Sequence, residues 1–280
     1  MMKAFPAFGI LLRRSTERKT IEEVLLANSN LPGPRGNIEL AQSFARALAD
    51  ARLEDWHWTM LTAWLTKSPE EAPVNSPEEY LPFCATVALG ALYCGLPRPG
   101  RRRALAGIQQ AAGDSRWRTR EAAAMALQAI GESDPETLKQ IVSKWMPEAD
   151  LLQKRAIAAG LAHPPLLTSS PFALFCLSTA DEIMTTVAKA GRTQRTREEF
   201  RVLRQGMGYA LSVFVGALPE AGFPLLSKWA AVDDKDIQWI LRENVKKNRL
   251  AERHTHETAA LARTLSEGRT AGRRGDPPTP

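Results

Sequence analysis

The chain has 280 residues, 44% of them hydrophobic and 24% charged, with a formal net charge of +6 and a pI near 9.4. That usage excludes wholesale disorder, and the length suffices to bury a core without disulfide or metal staples. Every apolar run is broken by charge, Pro or Gly before the ~18–20 residues that a membrane-spanning helix needs, so no span is expected. The positive balance favours acidic partners in a general way and falls short of a dedicated nucleic-acid-binding domain.

Residues 5–12 are apolar and follow Lys3, but they contain Pro6, run into Arg13 and Arg14 and lack a small-residue cleavage site, so a signal peptide is not expected. Cys84, Cys94 and Cys176 are too few and too scattered for a disulfide framework, which fits a reducing, cytoplasmic setting.

Helical periodicity, with apolar residues at i, i+3, i+4 and i+7, comes first at 38–53, after the turn string LPGPRG at 31–36. A second apolar helix closes on Leu61, Thr62, Ala63 and Trp64 before a loop at 67–77, and a third covers 80–92. The string GLPRPG at 95–100 marks a turn, and the next periodic segment runs over 117–130. Ser133, Asp134, Pro135 and Glu136 then make a helix N-terminus, with a cap oxygen for the orphan amides and Pro near the first position, opening a helix at 136–145. Further helices are predicted at 151–162 and 237–250, with turns at 163–165 and 218–222. No convincing period-two strand appears. Residues 266–280 are polar and rich in Gly and Pro, the composition of a disordered tail.

Two internal matches point to a repeat. The pattern D-x-x-W-x-x-R-E occurs at Asp114, Trp117, Arg120 and Glu121 and again at Asp236, Trp239, Arg242 and Glu243. Ser-Lys-Trp closes apolar stretches at Trp145 and Trp229, and Trp64 ends a degenerate relative. Both offsets fit units of about forty residues, the length of a two-helix repeat. Ala-rich faces at 122–124 and 156–159 let such units approach closely. The fold class expected is therefore all-α, an α-solenoid of stacked helical hairpins. It would form one domain over 1–265, irregular over 1–95 and clearer over 100–163 and 219–250.

The Asp and Arg six apart, twice, resemble the pair that ties successive units of HEAT repeats into a ladder. On that resemblance Asp114, Trp117, Arg120, Asp236, Trp239 and Arg242 are ladder residues. The strings LPGPRGNIEL at 31–40 and EYLPFCATVALG at 79–90, with 114–128 and 236–250, are similar to a widespread, uncharacterised bacterial HEAT-like family. That resemblance implies a fold and no activity. A looser similarity to the HEAT-like DNA-alkylation-repair glycosylases, which hold DNA on a concave, basic, Trp-bearing face, implies DNA binding as the alternative function. It transfers no catalytic residue onto this chain.

No HExxH, P-loop, GxGxxG or GxSxG occurs. His254 and His256 are two apart, on opposite sides of a helix, and His57 and His163 stand alone, so no metal site, cofactor or catalytic residue is assigned. Trp residues that recur in register more commonly pack between units than bind ligands.

The functional lead is charge. Arg98, Arg101, Arg102, Arg103, Arg116, Arg118 and Arg120 face Asp114 alone in sequence. Arg192, Arg195, Arg197, Arg201 and Arg204 form a second cluster beside Glu198 and Glu199, and Lys246, Lys247, Arg249 and Arg253 follow. Arg101, Arg102, Arg103, Arg116, Arg118, Arg155, Arg195, Arg197 and Lys246 are the candidate lining of a basic groove, although such runs often do no more than solvate a surface. The function expected is a non-catalytic scaffold for a protein or peptide partner, with nucleic acid as the other candidate.

Overall fold

A computed structural model describes residues 7–272, with side chains to 266. Among them are α-helices and short 3-10 turns and no strand. The chain divides into two compact units, residues 1–144 and 145–280, at the end of one helix. The domain expected over 1–265 spans both units, each of which has its own helical stack.

The first unit contains α1 (Phe8–Leu11), α2 (Arg18–Ala27), α3 (Ile38–Ala49), α4 (Asp55–Leu65), α5 (Tyr80–Leu92), α6 (Arg98–Ala112), α7 (Trp117–Ser133) and most of α8 (Pro135–Trp145). Helices α3, α5 and α7 lie side by side in one layer, while α4 and α6 cover them in a second. The apolar residues of α5 surround it completely, and nearly all of it is buried, as befits the middle helix of a layer. Its close approach to α7 depends on Gly90, where a Cβ would lie 2.4 Å from the Cα of Ala126. The buried Ala122, Ala123 and Ala124 keep α7 slim. Hairpin succeeds hairpin, with α4, α6 and α8 starting at Asp55, Arg98 and Pro135, a spacing of about forty residues. Asp134 starts α8 as its composition predicts: Oδ1 accepts from the amides of Glu136 and Thr137, both at 3.1 Å.

The second unit contains α9 (Leu151–Leu161), α10 (Ser170–Lys189), α11 (Arg192–Arg195), α12 (Glu198–Ala217), α13 (Pro219–Ala230), α14 (Lys235–Val245), α15 (Asn248–Ala251) and α16 (Thr255–Gly272). Helix α12 packs between α9 and α14, and α10 and α13 form the covering layer. Asn244 of α14 reaches into the hydrogen-bond ladder of α12, accepting from the Ser212 amide at 2.7 Å and donating to the Met207 carbonyl at 2.8 Å. Of the tail expected over 266–280, the residues to Gly272 continue the α16 backbone, and the rest lies outside the described residues.

Of the two internal matches, the Trp endings share an environment. Trp64, Trp145 and Trp229 stand at the ends of α4, α8 and α13, all buried, and each indole N–H donates to a polar side chain. The acceptors are Glu22 at 2.7 Å, Gln153 at 3.2 Å and Asp181 at 2.7 Å. The D-x-x-W pattern falls differently. Asp114 precedes α7, whereas Asp236 lies inside the first turn of α14, so Trp117 opens its helix and Trp239 sits on the second turn. Trp117 is 46% exposed, while Trp239 is half-buried. The residue that matches Asp114 in geometry is Asp234: each carboxylate accepts from the amide two residues on, at 2.7 and 2.9 Å. The four identities are therefore two residues out of structural register.

Candidate functional site

Position 234 also organises a cleft in the second unit. Asp234 caps α14, its Oδ1 accepting from the amides of Asp236 and Ile237. From the other side Arg195 donates Nη2 to Asp234 Oδ2 and Nη1 to Asp236 Oδ2, both at 2.6 Å. Its Nε and Nη2 also bond the carbonyls of Ala190, Val187 and Ala188, the orphan acceptors at the end of α10. Every donor of Arg195 is used, so this residue ties α10 to α14. Burial pushes the Asp234 carboxyl up, but hydrogen bonds from Arg195 and the Ile237 amide, with the Arg195 charge, outweigh it and hold the group below the usual carboxylate range. The hydrogen bond that Arg195 donates to Asp234 is the main reason that Arg195 is held above its ordinary value.

Beside this lock opens a cleft of about 1180 Å³, built from α11, the first turns of α12 and α14 and the segment before α14. Seven cations line it against four carboxylates. Two of the acids, Asp234 and Asp236, are consumed by Arg195 and Arg204, the latter at 2.6 Å. Arg192, Arg197 and Lys235 are exposed with no partner among the described residues, and exposed Arg201 meets only Glu198 at 3.5 Å. Phe200 and Trp239 supply apolar lining, and the Arg204 guanidinium lies over the Trp239 ring at 4.3 Å.

The other candidate groove residues are dispersed. Arg116 is almost wholly buried, paired through Nε and Nη2 with Asp114 at 2.8 and 2.6 Å and donating to the Ala72 carbonyl at 3.3 Å. Arg118 is buried against Glu79 at 2.9 Å and bonds the Gly33 carbonyl and Asn75 Oδ1, joining two loops to α7. Neither presents its charge to a surface, because loop carbonyls and acids brought in from distant segments enclose it. Arg120 bonds the carbonyls of Asp114 and Ser115, and Asp236 links elements through Arg195 and Arg204. Arg242 donates to the Leu265 carbonyl of α16 at 3.1 Å.

Arg101 closes the turn before α6 through the carbonyls of Cys94 and Leu96, and Arg103 reaches Thr62 at 2.7 Å across the Trp58 ring. Arg102 is exposed on the same helix. The stem of Arg155 lies against α12 where Gly206 leaves room, and Lys246 pairs with Glu243 at 2.6 Å. Of the nine candidates only Arg195 and Arg197 line the cleft. Arg192, Arg201 and Arg204 belong to the charge run visible in sequence. Lys235, Asp233 and Asp234 were the part missed, and the string DDKD at 233–236 ahead of an amphipathic helix was their signal.

His57 is buried, Nδ1 accepting from the Glu54 amide and Nε2 meeting the Leu12 carbonyl at 3.0 Å, which caps α4. His254 stands edge-on to Phe223. Burial pushes the thiols of Cys84 and Cys176 well above the ordinary range. Among the described residues no three His, Cys, Asp or Glu side chains gather to hold a metal, and no helix is long and apolar enough to cross a membrane.

No family model and no curated protein matches the chain. Among solved structures it is similar to the designed armadillo repeat protein YIII(Dq)4CqI at 14% identity and a TM-score of 0.36, covering 86% of this chain and 98% of that one. The fold that emerges rests on the chain's own helix contacts: an all-α protein of helical hairpins stacked in two layers within each unit, the layering of an α-solenoid.

Proposed function

We propose that this chain acts by binding, and that the basic cleft of the second unit receives a protein or peptide partner. The observation that carries the reading is the cleft itself, where four exposed cations, Arg192, Arg197, Arg201 and Lys235, surround an Arg204–Trp239 stack beside a rigid lock. Arg stacked on an aromatic ring is a frequent anchor of protein interfaces. Kinship with HEAT-like repeat proteins, including the uncharacterised bacterial family, is supported by hairpins of about forty residues, a length typical of such repeats. The free cysteines are in keeping with a reducing, cytoplasmic compartment. The DNA-binding alternative loses much of its motivation, since Arg116, Arg118 and Arg120 are interior.

The test is capture of a partner from native extract by the wild-type chain and by Arg197→Glu/Arg201→Glu, with equal folding verified by circular dichroism and thermal melting. The partner is expected on the wild type and absent from the variant. Equal capture by both overturns the cleft as the binding site.

A further inference from the structure

The chemistry of the partner follows from the guanidinium edge that the fold leaves unused. Arg204 is held in place twice over, by its stack on Trp239 and by Nη1 on Asp236 at 2.6 Å, and its side chain is 28% exposed. Its Nε and Nη2 bond nothing among the described residues. That pair is the fork that takes a carboxylate side-on. Arg116 uses the same two atoms to hold both oxygens of Asp114. We infer that the cleft recognises an acidic linear peptide, one carboxylate seated on the Nε/Nη2 edge of Arg204 and its neighbours met by Arg192, Arg197, Arg201 and Lys235.

This deepens the proposed function and depends on it. Two features favour carboxylates on a peptide over a nucleic-acid backbone. Glu198 and Asp233 also line the cleft and oppose a continuous row of phosphates, whereas spaced carboxylates pass between them. One face of Trp239 is taken by Arg204, and a Cβ at Gly208 would lie 3.0 Å from the ring, so on those sides no room is left for a base to stack. A pre-positioned guanidinium loses little rotamer entropy on binding and discriminates by its planar fork, which Lys lacks.

Fluorescence anisotropy tests the inference with a dye-labelled Glu/Asp-rich peptide of eight residues containing one Phe, its Gln/Asn counterpart, a labelled DNA duplex and inorganic phosphate as competitor. The acidic peptide is expected to bind, to weaken as salt rises and to lose about tenfold or more in affinity in Arg204→Lys, which keeps the charge and removes the fork. The exposed double variant Arg197→Ser/Arg201→Ser provides the same readout without touching a buried group, and about a tenfold loss is expected there too. Absence of peptide binding at low salt, unchanged affinity in both variants, DNA binding as tight as the peptide, or displacement by millimolar phosphate each overturns it. If partner capture still depends on Arg197 and Arg201 while the acidic peptide fails, the inference falls and the binding cleft stands; if both fail, the cleft reading falls as well.

Discussion

The two arginine clusters look alike in sequence, and although Arg98, Arg102 and Arg103 of the first are exposed, its later members and those of the second have opposite fates. In the first unit Arg116 and Arg118 are enclosed by Asp114, Glu79, Asn75 and loop carbonyls, and their charge is neutralised inside the protein. In the second unit Arg195 is enclosed in the same way, yet Arg192, Arg197 and Arg201 remain outside and Arg204 is only half satisfied. Charge density alone therefore does not distinguish a structural arginine from a recognition arginine. The supply of acceptors does: the first cluster meets turns whose carbonyls face inward, while the second faces one capped helix start with only two inward carboxylates.

The sharpest way to break this contrast is Arg118→Met. It leaves the fully buried Glu79 carboxylate without its cation and is expected to cost about 3–5 kcal/mol in chemical denaturation. Glu79→Gln placed on top of it should recover a substantial part, because the uncompensated charge is then gone. A loss below about 1 kcal/mol for Arg118→Met would mean that the first cluster is no more structural than the second. A somewhat smaller effect is expected of Gly90→Ala, which drives a methyl into the Ala126 backbone where α5 meets α7. About 1–3 kcal/mol, read from the same denaturation curves, is the ordinary cost of such overpacking.

What sequence reveals divides along the same line. The helices at 80–92 and 151–161 are legible because their apolar runs are bounded by turn residues, and the Trp endings are legible because each closes an apolar helix and is buried there. The long helices α10 and α12 lie outside the periodic segments named from sequence, although each carries an apolar stripe. The fate of an arginine is not local at all. Arg118 is buried by Gly33, Asn75 and Glu79, segments some forty to eighty-five positions away, which no periodicity registers. The D-x-x-W match misleads for a related reason: four identities align letters, while a two-residue shift of the cap decides which face a side chain occupies.

Acid sharpens the comparison within the second unit. Asp234 is held below its unfolded value, so its contribution to stability is fully present above about pH 4 and is lost as pH falls through the folded value. Asp234→Asn keeps a cap acceptor and removes the titration. Thermal melts of the wild type are therefore expected to drop more steeply below about pH 4 than those of the variant. Parallel pH profiles would show that Asp234 adds nothing to the hold that Asp236 and the carbonyls have on Arg195. At neutral pH the variant is expected to be less stable by about 1 kcal/mol, since the partly buried guanidinium loses one of its two anions.

The smallest effect on stability is the most diagnostic. Arg192→Ala and Arg197→Ala remove charges that touch nothing among the described residues, and each is expected to leave stability within about 0.5 kcal/mol of wild type by chemical denaturation. Such a side chain adds little to folding, because it makes no hydrogen bond or ion pair among the described residues and loses rotamer freedom whenever it is ordered. If either variant costs as much as Arg118→Met, that arginine has an internal partner and the distinction between the two clusters collapses. If both are neutral, as expected, the charge of the second unit stands free of the fold, which is the condition for using it on another molecule.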